Sequence, residues 1–128
     1  MIYLDTSVVI AEILSEDRRP PAAMWQETLF SSRLLEYEVW IRLHARGLGD
    51  ACGFSARTLL GRIHFIALSQ LTLVRALRPF PLPVRSLDAL HLASLEYLRS
   101  FKQQVVLASY DDRMVEVAQE LGIPIYPA

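Results

Sequence analysis

Four acidic side chains are the residues of this sequence best suited to chemistry. Asp5, Asp88 and Asp111 each lie at the end of a strand-like run or at the start of a helical pattern, and Glu38 lies inside an apolar helical stripe. In an open α/β sheet, strand ends and the helices that follow them converge on one crevice. Carboxylates gathered there repel one another and lose hydration unless a cation neutralises them. Because oxygen-only ligand sets suit Mg²⁺ or Mn²⁺, the pattern predicts a magnesium-type metal site.

Asp5 and Asp88 each have an ordinary structural explanation as well. Asp5 is followed by Thr6 and Ser7, and all three residue types are good N-caps for the helix that follows. Thr6 or Ser7 can cap that helix while Asp5 faces the crevice, so capping and catalysis are equally open as the role of Asp5. Asp88 lies in the first turn of a helical pattern, where a negative charge is favourable in any helix. His91, one turn later, is expected to be structural, since an oxygen-ligand site does not need it.

The start of the last helix offers several polar residues for one capping position. Ser109, Asp111 and Asp112 are all candidates for the cap. Of the two acids, Asp111 is nearer to the end of the preceding strand, so it is the preferred metal ligand. Asp112 is either an accessory residue of the site or an ordinary first-turn carboxylate.

Glu38 is the acidic residue that is hardest to explain without function. It interrupts the apolar stripe of its helix, which is expected to consist of Leu34, Leu35, Ile41 and Ala45. A surface pair between Glu38 and Arg42, one turn apart, would contribute only about 0.3–0.5 kcal/mol. Such a pair does not explain why a carboxylate falls within the buried stripe, whereas metal ligation does.

The elements that must position these acids alternate between strand and helix. Strand-like runs are predicted at residues 2–4, 29–32, 65–68, 105–109 and 124–126, and helical patterns lie between them. The clearest helical patterns run over residues 7–14, 34–45, 50–63, 71–77 and 86–98, with a last helix that stops at Gly122 and Pro124. This alternation predicts a parallel sheet wrapped by helices. The two consecutive helices after the second strand form an inserted hairpin that could wall a cleft.

Length, composition and charge set limits on the function. The 128 residues predict a single domain over residues 1–128 with a real core, and the chain is 52% hydrophobic and 21% charged. The net charge of −1 gives no global basic field, so any nucleic acid must be bound by local arginines. The lone Cys52 fits a reducing compartment, and neither a membrane span nor a signal peptide is predicted. A cytoplasmic location is therefore expected.

Four motifs resemble those of the PIN domain (PilT N-terminal domain), and specifically the VapC-like toxin ribonucleases. Residues 2–7 look like the opening strand with its acid, and residues 31–39 look like the second motif with Glu38 at the acidic position. Residues 86–93, with the sequence Ser-Leu-Asp-Ala-Leu-His-Leu-Ala, are the most specific match. Residues 107–111 match the last motif with Ser109 where the family more often has Thr, which keeps the hydroxyl. The match covers nearly the whole chain.

The resemblance implies a fold and an activity. The fold is a three-layer α/β/α sandwich with a five-strand, mainly parallel sheet. The activity is cleavage of single-stranded or loop RNA by one or two Mg²⁺ or Mn²⁺ ions, with Asp5, Glu38, Asp88 and Asp111 as catalytic residues and ligands. Such proteins typically form homodimers and are inhibited by a cognate antitoxin, whose arginine can enter the acidic cleft.

Two other classes were compared with this interpretation. One is a PIN-like interaction module that has lost catalysis, which the complete set of four acids argues against. The other is a phospho-acceptor domain of the receiver type, which needs a lysine at the end of a strand. The only lysine is Lys102, at the wrong end of the fourth predicted strand. No phosphate-cradling glycine loop is present either, which argues against a nucleotide hydrolase.

Overall fold

A computed structural model describes residues 1–101 and 104–127 of the chain. Lys102, which entered the comparison with receiver domains, lies outside the described residues. The residues so described form four strands: β1 (Ile2–Leu4), β2 (Leu29–Ser32), β3 (Ile63–Ile66) and β4 (Val106–Ala108). The α-helices are α1 (Thr6–Ile13), α2 (Arg33–Ala45), α3 (Gly49–Leu60), α4 (Gln70–Ala76), α5 (Ser86–Arg99) and α6 (Asp112–Glu120), and a 3₁₀ helix covers Ala22–Gln26.

All strand pairs in the sheet are parallel, and the strand order is β3-β2-β1-β4. The central strand β1 has β2 on one side and β4 on the other, with Ile2 opposite both Leu29 and Val106. The carboxyl ends of β1 and β4 are therefore neighbours. This arrangement places whatever follows these two strands at a common edge, as the sequence predicts.

The prediction of five strands is wrong, because the described part of the chain forms a four-strand sheet. Residues 124–126 contribute a single parallel bridge, between Leu107 and Ile125. The Leu107 N–H donates to the Pro124 carbonyl at 2.9 Å, and the Tyr126 N–H donates to the Leu107 carbonyl at 2.8 Å. Proline has no N–H to add to a ladder, so Pro124 limits the pairing at the start of this segment.

Helices cover both faces of the sheet, which confirms the three-layer arrangement. Successive residues of a strand point to opposite faces, and β1 shows this directly. Ile2 and Leu4 belong to a core cluster that includes residues of α1, α2 and α3, whereas Tyr3 belongs to a second cluster with residues of α5 and α6. The two clusters are the two apolar layers between sheet and helices.

The predicted boundaries of several elements needed small corrections. The third strand begins at Ile63, two residues earlier than predicted, because α3 ends at Leu60 instead of continuing to residue 63. The predicted stops at Gly47 and Gly122 are confirmed, since both glycines have positive φ (68° and 75°), which favours glycine at the end of a helix. Within the described residues, no helix is long and apolar enough to cross a membrane.

Candidate active site

Asp5 and Asp111 meet at the edge of the sheet where β1 and β4 end. Asp5 directly follows β1, and its backbone N–H donates to the carbonyl of Ala108, the last residue of β4, at 2.9 Å. Ser109 Oγ donates to Asp5 Oδ2 at 2.9 Å and accepts a hydrogen bond from the Asp111 N–H at 3.0 Å. The hydroxyl of Ser109 therefore connects the two acids.

The carboxylate of Asp5 does not cap α1. Asp5 occupies the N-cap position, but its side chain makes no capping hydrogen bond within the described structure. Its Oδ2 instead accepts from Ser7 Oγ at 2.7 Å as well as from Ser109. Asp5 is almost fully buried, and no described residue donates to its Oδ1. The capping explanation is thus wrong for Asp5, and its carboxylate is held at the sheet edge by two hydroxyl groups.

Asp111 caps α6 with one carboxylate oxygen and pairs with a basic side chain through the other. Its Oδ1 accepts hydrogen bonds from the N–H groups of Arg113 at 3.0 Å and Met114 at 3.2 Å, so it caps α6. Its Oδ2 is directed away from the helix and pairs with a guanidinium group. Asp112 is exposed in the first turn and has no hydrogen bond or ion pair to the other acids among the described residues. Because Asp111 takes the capping position, the predicted accessory role of Asp112 is not supported.

Arg85 is the site residue that the sequence analysis missed. It precedes α5, and its Nε lies 3.0 Å from Asp88 Oδ2 while its Nη2 lies 2.5 Å from Asp111 Oδ2. One guanidinium group therefore bridges two of the predicted ligands, although its own side chain is 74% exposed. A basic residue three positions before an acid at a helix start was the only available signal, and it is equally typical of a surface pair.

The charges around Asp88 oppose one another. Burial raises the pKa of the Asp88 carboxyl, the hydrogen bond and positive charge of Arg85 lower it, and the negative charges of Asp111 and Asp5 raise it. The net result is a raised pKa, so the ionised form of Asp88 is less favourable here than in water. The charges of Asp5 and Asp111 therefore both act on Asp88, which places the three acids in one acidic cluster.

Glu38 lies at the edge of the buried stripe of α2. The buried positions are Leu35, Val39 and Leu43, whereas Ile41 and Ala45 are exposed, so the predicted stripe was partly wrong. Glu38 is nevertheless turned inward, with only 12% of its side chain exposed. Its Oε1 accepts hydrogen bonds from Thr6 Oγ1 at 2.9 Å and from His91 Nε2 at 2.6 Å.

The alternative explanation of Glu38 as a surface partner of Arg42 is not supported. The ion pairs among the described residues do not include one between these two side chains. Burial raises the pKa of Glu38, but the hydrogen bond and coulombic interaction with His91, the hydrogen bond from Thr6 and the positive charge of Arg42 outweigh this effect. The pKa of Glu38 is therefore lowered, and the group is a stable carboxylate. Arg42 acts only through its charge, and Thr6 acts as a hydrogen-bond donor.

The donor chemistry of the site fits a hard divalent cation, although the side chains do not form a closed cage. Within the described residues, no three side chains of the His, Cys, Asp and Glu types are close enough to hold a metal ion. Three carboxylates each keep one oxygen that accepts no hydrogen bond from a described residue: Asp5 Oδ1, Glu38 Oε2 and Asp88 Oδ1. The Arg85 guanidinium places a positive charge across Asp88 and Asp111.

Comparisons with known proteins confirm the resemblance that the four motifs indicated. The family model for the PIN domain matches residues 2–120. The chain is 32% identical to Ribonuclease VapC35 of Mycobacterium tuberculosis over 133 aligned positions, which cover 98% of this chain and 95% of that protein. It is 28% identical to Ribonuclease VapC46 of the same species, over 97% of this chain and 95% of that protein. Ribonuclease VapC47 is also 28% identical, over 95% of this chain and 93% of that protein.

Proposed function

The chain belongs to the PIN domain family, and from this membership and the site geometry we propose that it is a metal-dependent endoribonuclease acting on single-stranded or loop RNA. The observation that carries the proposal is the acidic cluster of Asp5, Asp88 and Asp111, whose charge is offset by one exposed arginine. The relatives named as ribonucleases match almost the full length of the chain, which supports the same reaction.

Asp5, Asp88 and Asp111 are the proposed ligands of Mg²⁺ or Mn²⁺, with Glu38 as the fourth acidic residue. When bound, such an ion lowers the pKa of its water and offsets charge on the phosphate. Ser7 and Ser109 hold Asp5 in place by donating to its Oδ2. The α6 cap fixes Asp111, because its Oδ1 is held by two backbone N–H groups while Oδ2 faces Arg85.

Arg85 is proposed to pair with the carboxylates of Asp88 and Asp111 in the metal-free protein and with an RNA phosphate when a metal is bound. If Asp88 and Asp111 hold a cation, its charge would replace that of the guanidinium at both carboxylates, which leaves Arg85 to pair with another anion. Arg85 and Arg113 line the same cavity of about 520 Å³, together with Pro83, Val84 and Asp111. Guanidinium groups match phosphate oxygens well, so this cavity is the proposed position of an RNA phosphate next to the site. A local pair of arginines agrees with the absence of any net positive charge on the chain.

The biological role proposed here is that of the toxin in a toxin–antitoxin pair in the cytoplasm. The partners are a cognate antitoxin, which inhibits the enzyme, and a second copy of the chain in a homodimer. An antitoxin arginine would have to reach the same carboxylates that Arg85 already pairs with. A separate cavity of about 440 Å³ lies between the 3₁₀ helix and α3, lined in part by Trp25, Phe54 and Leu59, and offers an apolar surface for the antitoxin.

RNA cleavage by the purified protein tests the proposal. We expect cleavage of unstructured RNA with Mg²⁺ or Mn²⁺ and none in EDTA, and we expect Asp5→Asn to abolish it. Asp112→Asn is the matched control, because it removes the same charge from an exposed acid outside the cluster. Cleavage that persists in EDTA would contradict the metal dependence. A protein that binds its partner but cleaves no RNA under any condition would favour the inactive interaction module.

A further inference from the structure

A buried chain of hydrogen bonds connects Glu38 to the centre of the sheet. His91 of α5 is 2% exposed and lies between two partners from other elements. Its Nδ1 is 2.9 Å from the hydroxyl of Tyr3 on β1, and its Nε2 is 2.6 Å from Oε1 of Glu38 on α2. The Tyr3 hydroxyl in turn accepts from the N–H of Ser32, the N-cap of α2, at 3.1 Å.

The partners of His91 determine which ring nitrogen carries the proton. The Tyr3 hydroxyl already accepts from the N–H of Ser32, so its own hydrogen remains to be donated. That hydrogen needs an acceptor, and His91 Nδ1, 2.9 Å away, is placed to accept it. Glu38 Oε1 already accepts from Thr6, so it acts as an acceptor towards His91 as well. The imidazole therefore carries its hydrogen on Nε2 and donates to Glu38.

This arrangement fixes the orientation of the Glu38 carboxylate. Both donors, Thr6 Oγ1 and His91 Nε2, act on the same oxygen, Oε1. No described residue donates to Oε2, which is left for a partner from outside the protein side chains. Hydrogen bonds of this kind orient ligating carboxylates, and loss of one typically weakens metal binding about 10–100-fold.

We propose that His91 is a positioning residue, which holds Glu38 through Nε2–H while Tyr3 fixes the tautomer. The proposal rests on the proposed function, because it assigns Glu38 Oε2 to the cation. It differs from the expectation that His91 is merely structural. A core residue that only fills space would affect the stability of the fold but would not decide metal affinity by the position of one nitrogen.

Two amide substitutions separate the two nitrogens of His91. In His91→Gln the amide nitrogen lies as many bonds from Cβ as Nε2 does, so it can still donate to Glu38. In His91→Asn the amide oxygen corresponds to Nδ1 and faces Tyr3, but no atom reaches Glu38. We expect His91→Asn to weaken Mn²⁺ binding about 10–100-fold, and we expect His91→Gln to stay within about threefold of the unsubstituted protein, measured by calorimetry with Mn²⁺ alone.

Nuclear magnetic resonance of the unsubstituted protein adds a measurement that needs no variant. The ¹⁵N shifts of His91 should show a protonated Nε2 and an unprotonated Nδ1. The opposite tautomer, or equal Mn²⁺ affinity for His91→Asn, His91→Gln and the unsubstituted protein, would overturn the positioning role and leave the proposed function intact. If the unsubstituted protein binds no Mn²⁺, the proposed function itself is contradicted, and the role of His91 falls with it.

Discussion

Asp111 allows the capping role and the proposed metal role to be separated by one pair of substitutions. Its Oδ1 holds two backbone N–H groups of α6, and its Oδ2 faces Arg85 and the acidic cluster. Asp111→Asn keeps an oxygen that can cap the helix but removes the negative charge. Asp111→Ala removes both the cap and the charge. The two variants should therefore differ in stability and agree in activity.

The expected difference in stability follows from the capping hydrogen bonds. Loss of an N-cap side chain costs about 1 kcal/mol, within a range of about 0.5–2 kcal/mol, whereas Asn and Asp cap about equally well. For a domain of this size, about 1 kcal/mol lowers the melting temperature by roughly 3–5 °C. The ion pair with Arg85 adds little to this difference, because Arg85 is exposed and solvent screens the pair.

Calorimetric melting without metal and RNA cleavage with Mn²⁺ test this reasoning together. We expect Asp111→Ala to melt several degrees lower than Asp111→Asn, and we expect both variants to cleave RNA far more slowly than the unsubstituted protein. Asp112→Ala, next to the cap but exposed, is the control for general effects on the helix start. Normal cleavage by Asp111→Asn would show that Asp111 is only a cap, and equal melting of the two variants would refute the capping energetics.

Three further predictions concern charge in the same site. Because its pKa is raised, Asp88 contributes stability to the fold below the unfolded pKa of about 3.9, and this contribution is lost as the pH rises through the folded pKa. At pH 7 and without metal, Asp88→Asn should therefore have a melting temperature no lower than that of the unsubstituted protein. A marked fall in the melting temperature would contradict this prediction. Glu38 has a lowered pKa, so its contribution to the stability of the fold is present above the unfolded pKa of about 4.3 and is lost as the pH falls through the folded pKa. Below pH 5, the melting temperature should fall less steeply with decreasing pH for Glu38→Gln than for Arg42→Ala. Identical slopes for the two variants would refute the prediction. Arg85→Ala should bind Mn²⁺ more tightly than the unsubstituted protein in calorimetry, because no guanidinium competes for Asp88 and Asp111. Arg33→Ala, at a surface ion pair, is the control. Weaker binding by Arg85→Ala would show that Arg85 instead helps to build the site.

The placement of the acids was predictable because it depends on the topology of the sheet. Parallel strands end at the same edge, so Asp5 after β1 and Asp111 after β4 had to be neighbours once these strands paired. The role of each carboxylate oxygen was not predictable in the same way. Asp5 and Asp111 both occupy N-cap positions, yet only Asp111 caps its helix, because two hydroxyl groups take Asp5 Oδ2 instead.

Residues that connect distant parts of the chain were the hardest to interpret from sequence. His91 reads as an ordinary core residue, since its contacts with Tyr3 and Glu38 span 88 and 53 positions of the chain. Arg85 reads as a surface partner of Asp88, since its second contact, with Asp111, depends on how α5 packs beside β4. A fifth strand was predicted at residues 124–126 because their apolar side chains fit a strand pattern. Only a single bridge forms there in the described structure, because Pro124 lacks an N–H donor that a full ladder needs.

The most direct test of the account is a crystal structure of the protein soaked in Mn²⁺, with the metal located by its anomalous scattering. We expect a Mn²⁺ peak coordinated by oxygens of Asp5, Asp88 and Asp111, with Oε2 of Glu38 facing the ion and Arg85 turned away from both carboxylates. A map without a peak at this edge of the sheet, with Arg85 still bridging Asp88 and Asp111 at saturating Mn²⁺, would contradict it.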